Sequence, residues 1–190
     1  MGCLKATLLK HRRLLAASVA LAALAAAALT AYSLKGQYLL LTNEQSGRVL
    51  FCEPAALGSE FAVSFTHSVN KSPVTEYYTI ANGQILLQAL RYYTFGAGMP
   101  GGPEQGQTMR FEKGGAIIIE GFKRPMPRLV YNVGRSASHT LHWQGRDIPL
   151  NTLDAPGEPI LFSVIVYPRI LPALRIYPAP AKHTTREVAL

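Results

Sequence analysis

Hydrophobic and polar positions divide this chain into two unlike parts. Residues 14–34 contain no charged side chain and show no polar face. As a helix this run would measure about 31 Å, the thickness of one bilayer core. From Tyr38 onward the helical period disappears, and short apolar or alternating runs are punctuated by glycine, proline and asparagine. Phe61, Val63 and Phe65 alternate with Ala62, Ser64 and Thr66, which predicts a strand with one face in a core. Runs 75–81 and 84–94 flank Asn82-Gly83, a pair that tolerates positive φ and predicts a tight hairpin. In its second arm, simple alternation places Ile85, Leu87 and Ala89 on one face and Leu86, Leu90 and Tyr92 on the other. Both faces are partly apolar, so this hairpin is expected to lie centrally. Runs 108–112 and 116–120 flank Lys113-Gly114-Gly115, and runs 138–143 and 146–150 flank Gln144-Gly145, two further hairpins. Runs 129–133 and 160–167 complete the set. The pattern predicts an all-β fold, an antiparallel sandwich or small barrel of about nine or ten strands, preceded by one N-terminal hydrophobic helix.

Charge sharpens this division. Lysine and arginine total 19 against 11 acidic residues, a formal net charge of +8. Four of the positive charges (Lys5, Lys10, Arg12 and Arg13) precede the apolar run, and Arg169, Arg175, Lys182 and Arg186 lie in a tail with Glu187. The remaining 32–167 carries 11 basic and 10 acidic residues. A nucleic-acid binder concentrates positive charge on its folded surface, and this domain does not. The basic flank instead reads as topology: residues 1–13 a cytoplasmic n-region, 14–34 a transmembrane anchor or signal segment, 36–167 a periplasmic β-domain, and 168–190 a basic, proline-containing tail. The length of the apolar run favours an uncleaved inner-membrane anchor. Its ten alanines among residues 14–31, and Ala26-Ala27-Ala28 as a small-residue site, leave a cleaved signal and secretion to the periplasm as the alternative. The tail is expected to be extended or disordered. Of the two cysteines only Cys52 falls in the exported part, where it is expected to pack as a small hydrophobe.

Candidate chemistry gathers in two places. Gly96-Ala97-Gly98-Met99-Pro100-Gly101 spells a dinucleotide-binding pattern, but Pro100 and Pro103 stand where the phosphate-binding helix should open. The run 95–107 therefore reads as a long glycine-rich loop, suited to form a ligand or partner lip. The segment 67–76 brings a histidine, hydroxyls, a lysine and a carboxylate close together at one end of a sheet. The ligand or partner surface expected from both comprises His67, Ser68, Lys71, Ser72, Pro73, Glu76, Arg91, Phe95, Gly96, Gly98 and Pro100. Catalysis by Ser68 with His67 is not expected, since neighbouring strand side chains point apart. His139 and His142, three apart on a strand, face opposite sides and make poor joint metal ligands. The segment 134–138 fails the G-x-S-x-G elbow at its last position. No cofactor or metal is expected, and the chain reads as a non-enzyme.

Three segments carry a resemblance to a known family. These are Phe65-Thr66-His67-Ser68-Val69-Asn70-Lys71-Ser72-Pro73-Val74-Thr75-Glu76, then Tyr93-Thr94-Phe95-Gly96-Ala97-Gly98-Met99-Pro100, then Arg124-Pro125-Met126-Pro127-Arg128-Leu129. Over roughly residues 48–150 the chain resembles the DUF1850 family of small bacterial proteins of unknown function. The resemblance implies a single leading hydrophobic segment and a gene setting beside TAXI-type tripartite TRAP transporters. It supplies no catalytic residues. The expected function is a membrane-tethered periplasmic accessory protein of a TRAP-type solute transporter, in contact with its permease or substrate-binding protein. A free-standing periplasmic binding module is the alternative, with Lys71, His67 and Arg91 holding a small anionic solute. A hydrolase-like enzyme is the third reading.

Overall fold

The computed structural model describes residues 2–96, 98–134, 137–169, 171 and 177, and the side chains of the first helix from Leu15 onward, Ala31 excepted. Among the described residues the fold is mostly β, with one long helix, α1 (Gly2–Ser33), and a 3-10 turn over Leu150–Thr152. The strands are β1 (Lys35–Asn43), β2 (Val49–Pro54), β3 (Glu60–Thr66), β4 (Pro73–Ala81), β5 (Gln84–Tyr92), β6 (Thr108–Phe111), β7 (Ile117–Pro125), β8 (Leu129–Asn132), β9 (Thr140–Trp143), β10 (Arg146–Pro149) and β11 (Pro159–Pro168). Eleven strands thus replace the nine or ten expected. They form two antiparallel sheets, ordered β2-β1-β11-β8 and β10-β9-β3-β4-β5-β7-β6. Both sheets are open, so the small-barrel alternative fails: each ends in two unpaired edge strands and no pairing closes it.

The helix and the β-domain are separate compact units, joined near Gly36. Along the helix Leu15, Val19, Leu21, Leu24 and Leu29 are all exposed. Among the described residues no helix is long and apolar enough to cross a membrane. The expected tail falls almost wholly outside the described residues, as do positions 135 and 136 of the 134–138 segment.

The main core takes side chains from both sheets: Leu39, Leu41, Tyr131, Ile160 and Phe162 meet Phe61, Val63, Tyr78, Ile80, Leu141 and Trp143. Phe61 stacks on Tyr78 at 5.0 Å and on Phe162 at 6.0 Å, bridging the sheets. At the other end of Trp143 a polar tie completes the junction, since its indole N–H donates to Glu53 of β2 at 2.9 Å. A smaller cluster of Val74, Leu90, Tyr92, Ile117 and Ile119 continues the core, with Met99 from the long loop packed against it.

Turn chemistry accounts for the hairpins. Asn82 and Gly83 take φ of 51° and 74°, and Gln144 and Gly145 take 48° and 75°, the backbone that tight two-residue hairpins require. The second arm of the first hairpin departs from simple alternation. Tyr77 opposes Ala89 while Tyr78 opposes Leu87, leaving Gln88 as an extra residue. This bulge reverses the parity beyond it: Ile85, Leu87, Leu90 and Tyr92 are buried, and Ala89 turns outward with Arg91. A matching irregularity on β7 accommodates it, with Gly121 at φ 90° and Lys123 at φ 46°.

Candidate functional site

Register across the seven-stranded sheet fixes what its outer face presents. One row runs Asp147, His142, Ala62, Tyr77, Ala89, Glu120 and Thr108, from β10 to β6. The next row runs Pro149, Thr140, Ser64, Thr75, Arg91, Ile118 and Arg110. Ala89 is small, so the face is hollow beside Tyr77. The bulge at Gln88 and Gly121 adds local bend and twist beside the hollow. The result is a cleft of about 870 Å3, lined on this face by Tyr77, Thr79, Ala89, Arg91 and His142 among others.

The two walls differ in chemistry. On the β5–β7–β6 side, Arg91 Nε donates to Glu112 at 3.0 Å, and Arg110 reaches both Glu112 at 2.8 Å and Glu120 at 3.2 Å. Hydrogen bonds from Arg91 and then Arg110 hold the Glu112 carboxyl below its ordinary range. Arg91 also lies 5.1 Å from the centre of the Tyr93 ring. On the β3–β9–β10 side, Ser64 Oγ lies 2.7 Å from His142 Nε2, and His142 Nδ1 lies 2.6 Å from Asp147 Oδ1. Arg91, Arg110 and Arg146 line the cleft against Glu60, Glu112, Glu120 and Asp147, so three cations meet four carboxylates and the cleft has no positive excess.

The residues singled out in the sequence do not form one site; the structure distributes them over three places. His67, Ser68, Lys71 and Ser72 lie in the turn between β3 and β4, and Pro73 opens β4. Phe95, Gly96, Gly98 and Pro100 belong to the loop that leaves β5. These two segments do meet at one end of the sheet, because Thr66 pairs with Pro73 and Thr75 opposes Arg91 near the exit of β5. Val74 and Met99 pack in the same small core beneath them, and the Tyr92 hydroxyl donates to the Pro100 carbonyl at 2.6 Å. Gly96 and Gly98 both take φ of 86°, which explains glycine there. Val69 is 69% exposed and Phe95 45%.

One ring nitrogen of His67 is turned into its own loop. This Nδ1 accepts from the backbone amides of Val69 and Asn70, both at 3.2 Å, while the backbone amide of His67 donates to the Ser72 carbonyl at 2.9 Å. The ring thus caps the turn, and Lys71 takes φ of 51° within it. Arg91, opposite Thr75 on the outer face, is committed to Glu112 in the cleft. The structure thus places Arg91 in the cleft, and His67 and Lys71 in the turn before β4.

Glu76 lies elsewhere again. It shares the inward face of β4 with Val74, and its Oε2 accepts from the Tyr78 hydroxyl at 2.9 Å and from the Tyr131 hydroxyl of the other sheet. The two hydroxyls are themselves 2.7 Å apart. Burial first, and the Glu76 charge second, push both phenols well above their ordinary range. This is a structural tie between sheets, outside any accessible surface site. His139 packs nearby against Phe65 and Tyr131, at ring distances of 5.2 and 5.5 Å, and burial lowers its pKa. His139 and His142 do face opposite sides, as strand parity predicts. Among the described residues no three histidine, cysteine or acidic side chains are placed to hold a metal ion. Cys52 is half-buried and unpaired, and burial followed by the neighbouring Glu53 raises its thiol pKa, which makes it a poor nucleophile.

Sequence reasoning missed Ser64, His142 and Asp147 as a group. Residues 61–150, which carry most of the cleft's walls and the two end loops, match the family model DUF1850, a domain of unknown function. No curated protein and no solved structure matches the chain.

Proposed function

We propose that this DUF1850-matching chain is a membrane-tethered, extracytoplasmic binding protein that holds a small polar solute on the outer face of its seven-stranded sheet. The observation that carries the reading is the cleft itself, hollowed at Ala89 and floored by Tyr77. Sites for small molecules are concave, with a few placed polar groups amid carbon. Balanced charge on the walls favours a zwitterionic or neutral solute over the simple anion expected from sequence. The tether is supported by the uncharged run 14–34 behind four basic residues, and by apolar side chains exposed along α1 that need a cover. Face-to-face packing of the two sheets as a sandwich is supported by the core they share. Thermal shifts of the detergent-solubilised chain against amino acids, hydroxy acids and small sugars test the reading. Stabilisation by one class, lost in Tyr77→Ala, is the expected result; a flat panel overturns it.

A second reading is favoured by a separate observation: the exposed Val69 and Phe95 on two loops anchored at one end of the sheet. In that reading the end docks a transporter partner, the permease or substrate-binding protein of a TRAP-type system, and the cleft's solute is handed on. Affinity purification from solubilised membranes with a tagged chain tests it. Failure to recover any transporter component, with solute uptake unchanged on deletion, would sink it.

A further inference from the structure

One wall of the cleft carries more chemistry than solute binding uses. Asp147 on β10 stands directly across from His142 on β9, and His142 stands across from Ala62 on β3. Ser64, two residues beyond Ala62, shares that face. Because Ala62 contributes only a methyl group, the imidazole can lean over it towards Ser64. Both ring nitrogens are thereby engaged, Nδ1 with Asp147 Oδ1 at 2.6 Å and Nε2 with Ser64 Oγ at 2.7 Å. An ionised carboxylate only accepts hydrogen bonds, so Asp147 holds the proton on Nδ1 and leaves the Nε2 lone pair for the serine hydroxyl. That tautomer is the one a general base needs. Two of the three side chains line the cleft, His142 at 37% exposed and Asp147 at 75%; Ser64 is half-buried beside His142, outside the lining itself.

We propose that Ser64 is a nucleophile towards acyl esters entering the cleft, with His142 as its base and Asp147 as the residue that orients the imidazole. The proposal rests on the cleft being a ligand site and names the chemistry performed there. As Ser64 Oγ bonds to the acyl carbon, its proton passes to His142 Nε2. The ester C–O bond then breaks, and the departing alcohol takes that proton. Water, giving its proton to His142, attacks the acyl-serine; the carboxylic acid leaves and the serine hydroxyl is restored. Atoms and charge balance without any further reactant. The opposite wall suits a substrate whose remainder is polar and carries little net charge, since Arg91 and Arg110 are matched there by Glu112 and Glu120.

The test uses the full chain in detergent with an alkyl fluorophosphonate, which phosphonylates activated serines and releases fluoride. One adduct is expected, on the peptide that contains Ser64, and none in Ser64→Ala. His142→Ala should slow labelling by about 100-fold, and Asp147→Asn should slow it by about 10-fold, with circular dichroism unchanged. All three side chains lie on the outer face, outside the shared core, so these variants keep the fold. No adduct at Ser64, or labelling indifferent to His142→Ala, overturns the proposal. The solute panel separates this from the binding reading. Thermal shifts without an adduct retain the cleft and remove the nucleophile. An adduct together with a flat panel retains the nucleophile and removes the solute-binding role.

Discussion

Tyr131 donates its phenolic hydrogen to the carboxylate of Glu76, joining β8 of one sheet to β4 of the other. Tyr78 donates to the same oxygen at 2.9 Å, so a single carboxylate gathers two buried hydroxyls. Hydrogen bonds to a charged group contribute about 1.5–3 kcal/mol each, and removing the acceptor leaves the two hydroxyls only each other, so one donor loses its partner. Glu76→Ala is therefore expected to lower stability by roughly 2–4 kcal/mol, and Tyr131→Phe by less, because Tyr78 remains. Urea unfolding of the two single variants and the double variant should give a coupling energy above about 1 kcal/mol. Simple additivity would show that the tie contributes nothing of its own.

His139 should make stability depend on pH in a definite direction. Burial lowers its folded-state pKa, so below the ordinary histidine value of about 6.5 the unfolded chain binds a proton that the folded chain refuses. Its contribution is complete above that value and is lost as pH falls from there through the folded pKa. His139→Phe, which keeps an aromatic ring against Phe65 and Tyr131, should flatten this part of the profile. Urea midpoints at pH 7.5 and 5.5 measure it, and an unchanged pH difference would contradict it.

Gly121 has no room for a side chain. A methyl group there would stand 2.8 Å from the Gly106 carbonyl oxygen, on backbone at φ 90°. Gly121→Ala is expected to cost about 1–3 kcal/mol and to loosen the long loop that Gly106 ends. Faster cleavage within residues 95–107 under limited proteolysis should accompany a lower urea midpoint.

Arg91 tests whether the polar wall serves binding or stability. Its ion pair with Glu112 is partly exposed, and such pairs contribute about 0–1 kcal/mol. Arg91→Ala should leave the unfolding midpoint nearly unchanged while abolishing solute-induced thermal shifts. Loss of both together would mark the pair as structural.

Val69 and Phe95 test the end of the sheet in the same way. Both are exposed, so Val69→Asp and Phe95→Asp combined should move the melting temperature by less than about 2 °C. The same double variant should lose any transporter component that the unaltered chain retains. Undiminished recovery would place the partner's contact elsewhere.

Much of the architecture was legible because hairpins are local. Asn82-Gly83 and Gln144-Gly145 declare their own backbone, and the strands on either side follow. The two loops could be placed at one end for the same reason. Gln88 was not legible: a one-residue bulge carries no composition signal, yet it turns Ala89 away from the face of Ile85 and Leu87 to the cleft. Ser64 and His142 were not legible either, since they lie 78 positions apart and meet only because β9 pairs with β3. The parity argument separating His139 from His142 was sound but compared the wrong pair; the partner of His142 lay on a neighbouring strand. Glu76 could have been found, because it continues the inward alternation from Val74.

The four edge strands have a consequence beyond the fold. β6, β8 and β10 are each only four residues long; β10 reads Arg146-Asp147-Ile148-Pro149, and β2 ends in Pro54. Short length, charge and proline deny a neighbouring chain a flat, continuous rail on which to add a strand. Copies crowded side by side can therefore reach high local concentration without zipping into a common sheet, and self-association has to proceed through side chains.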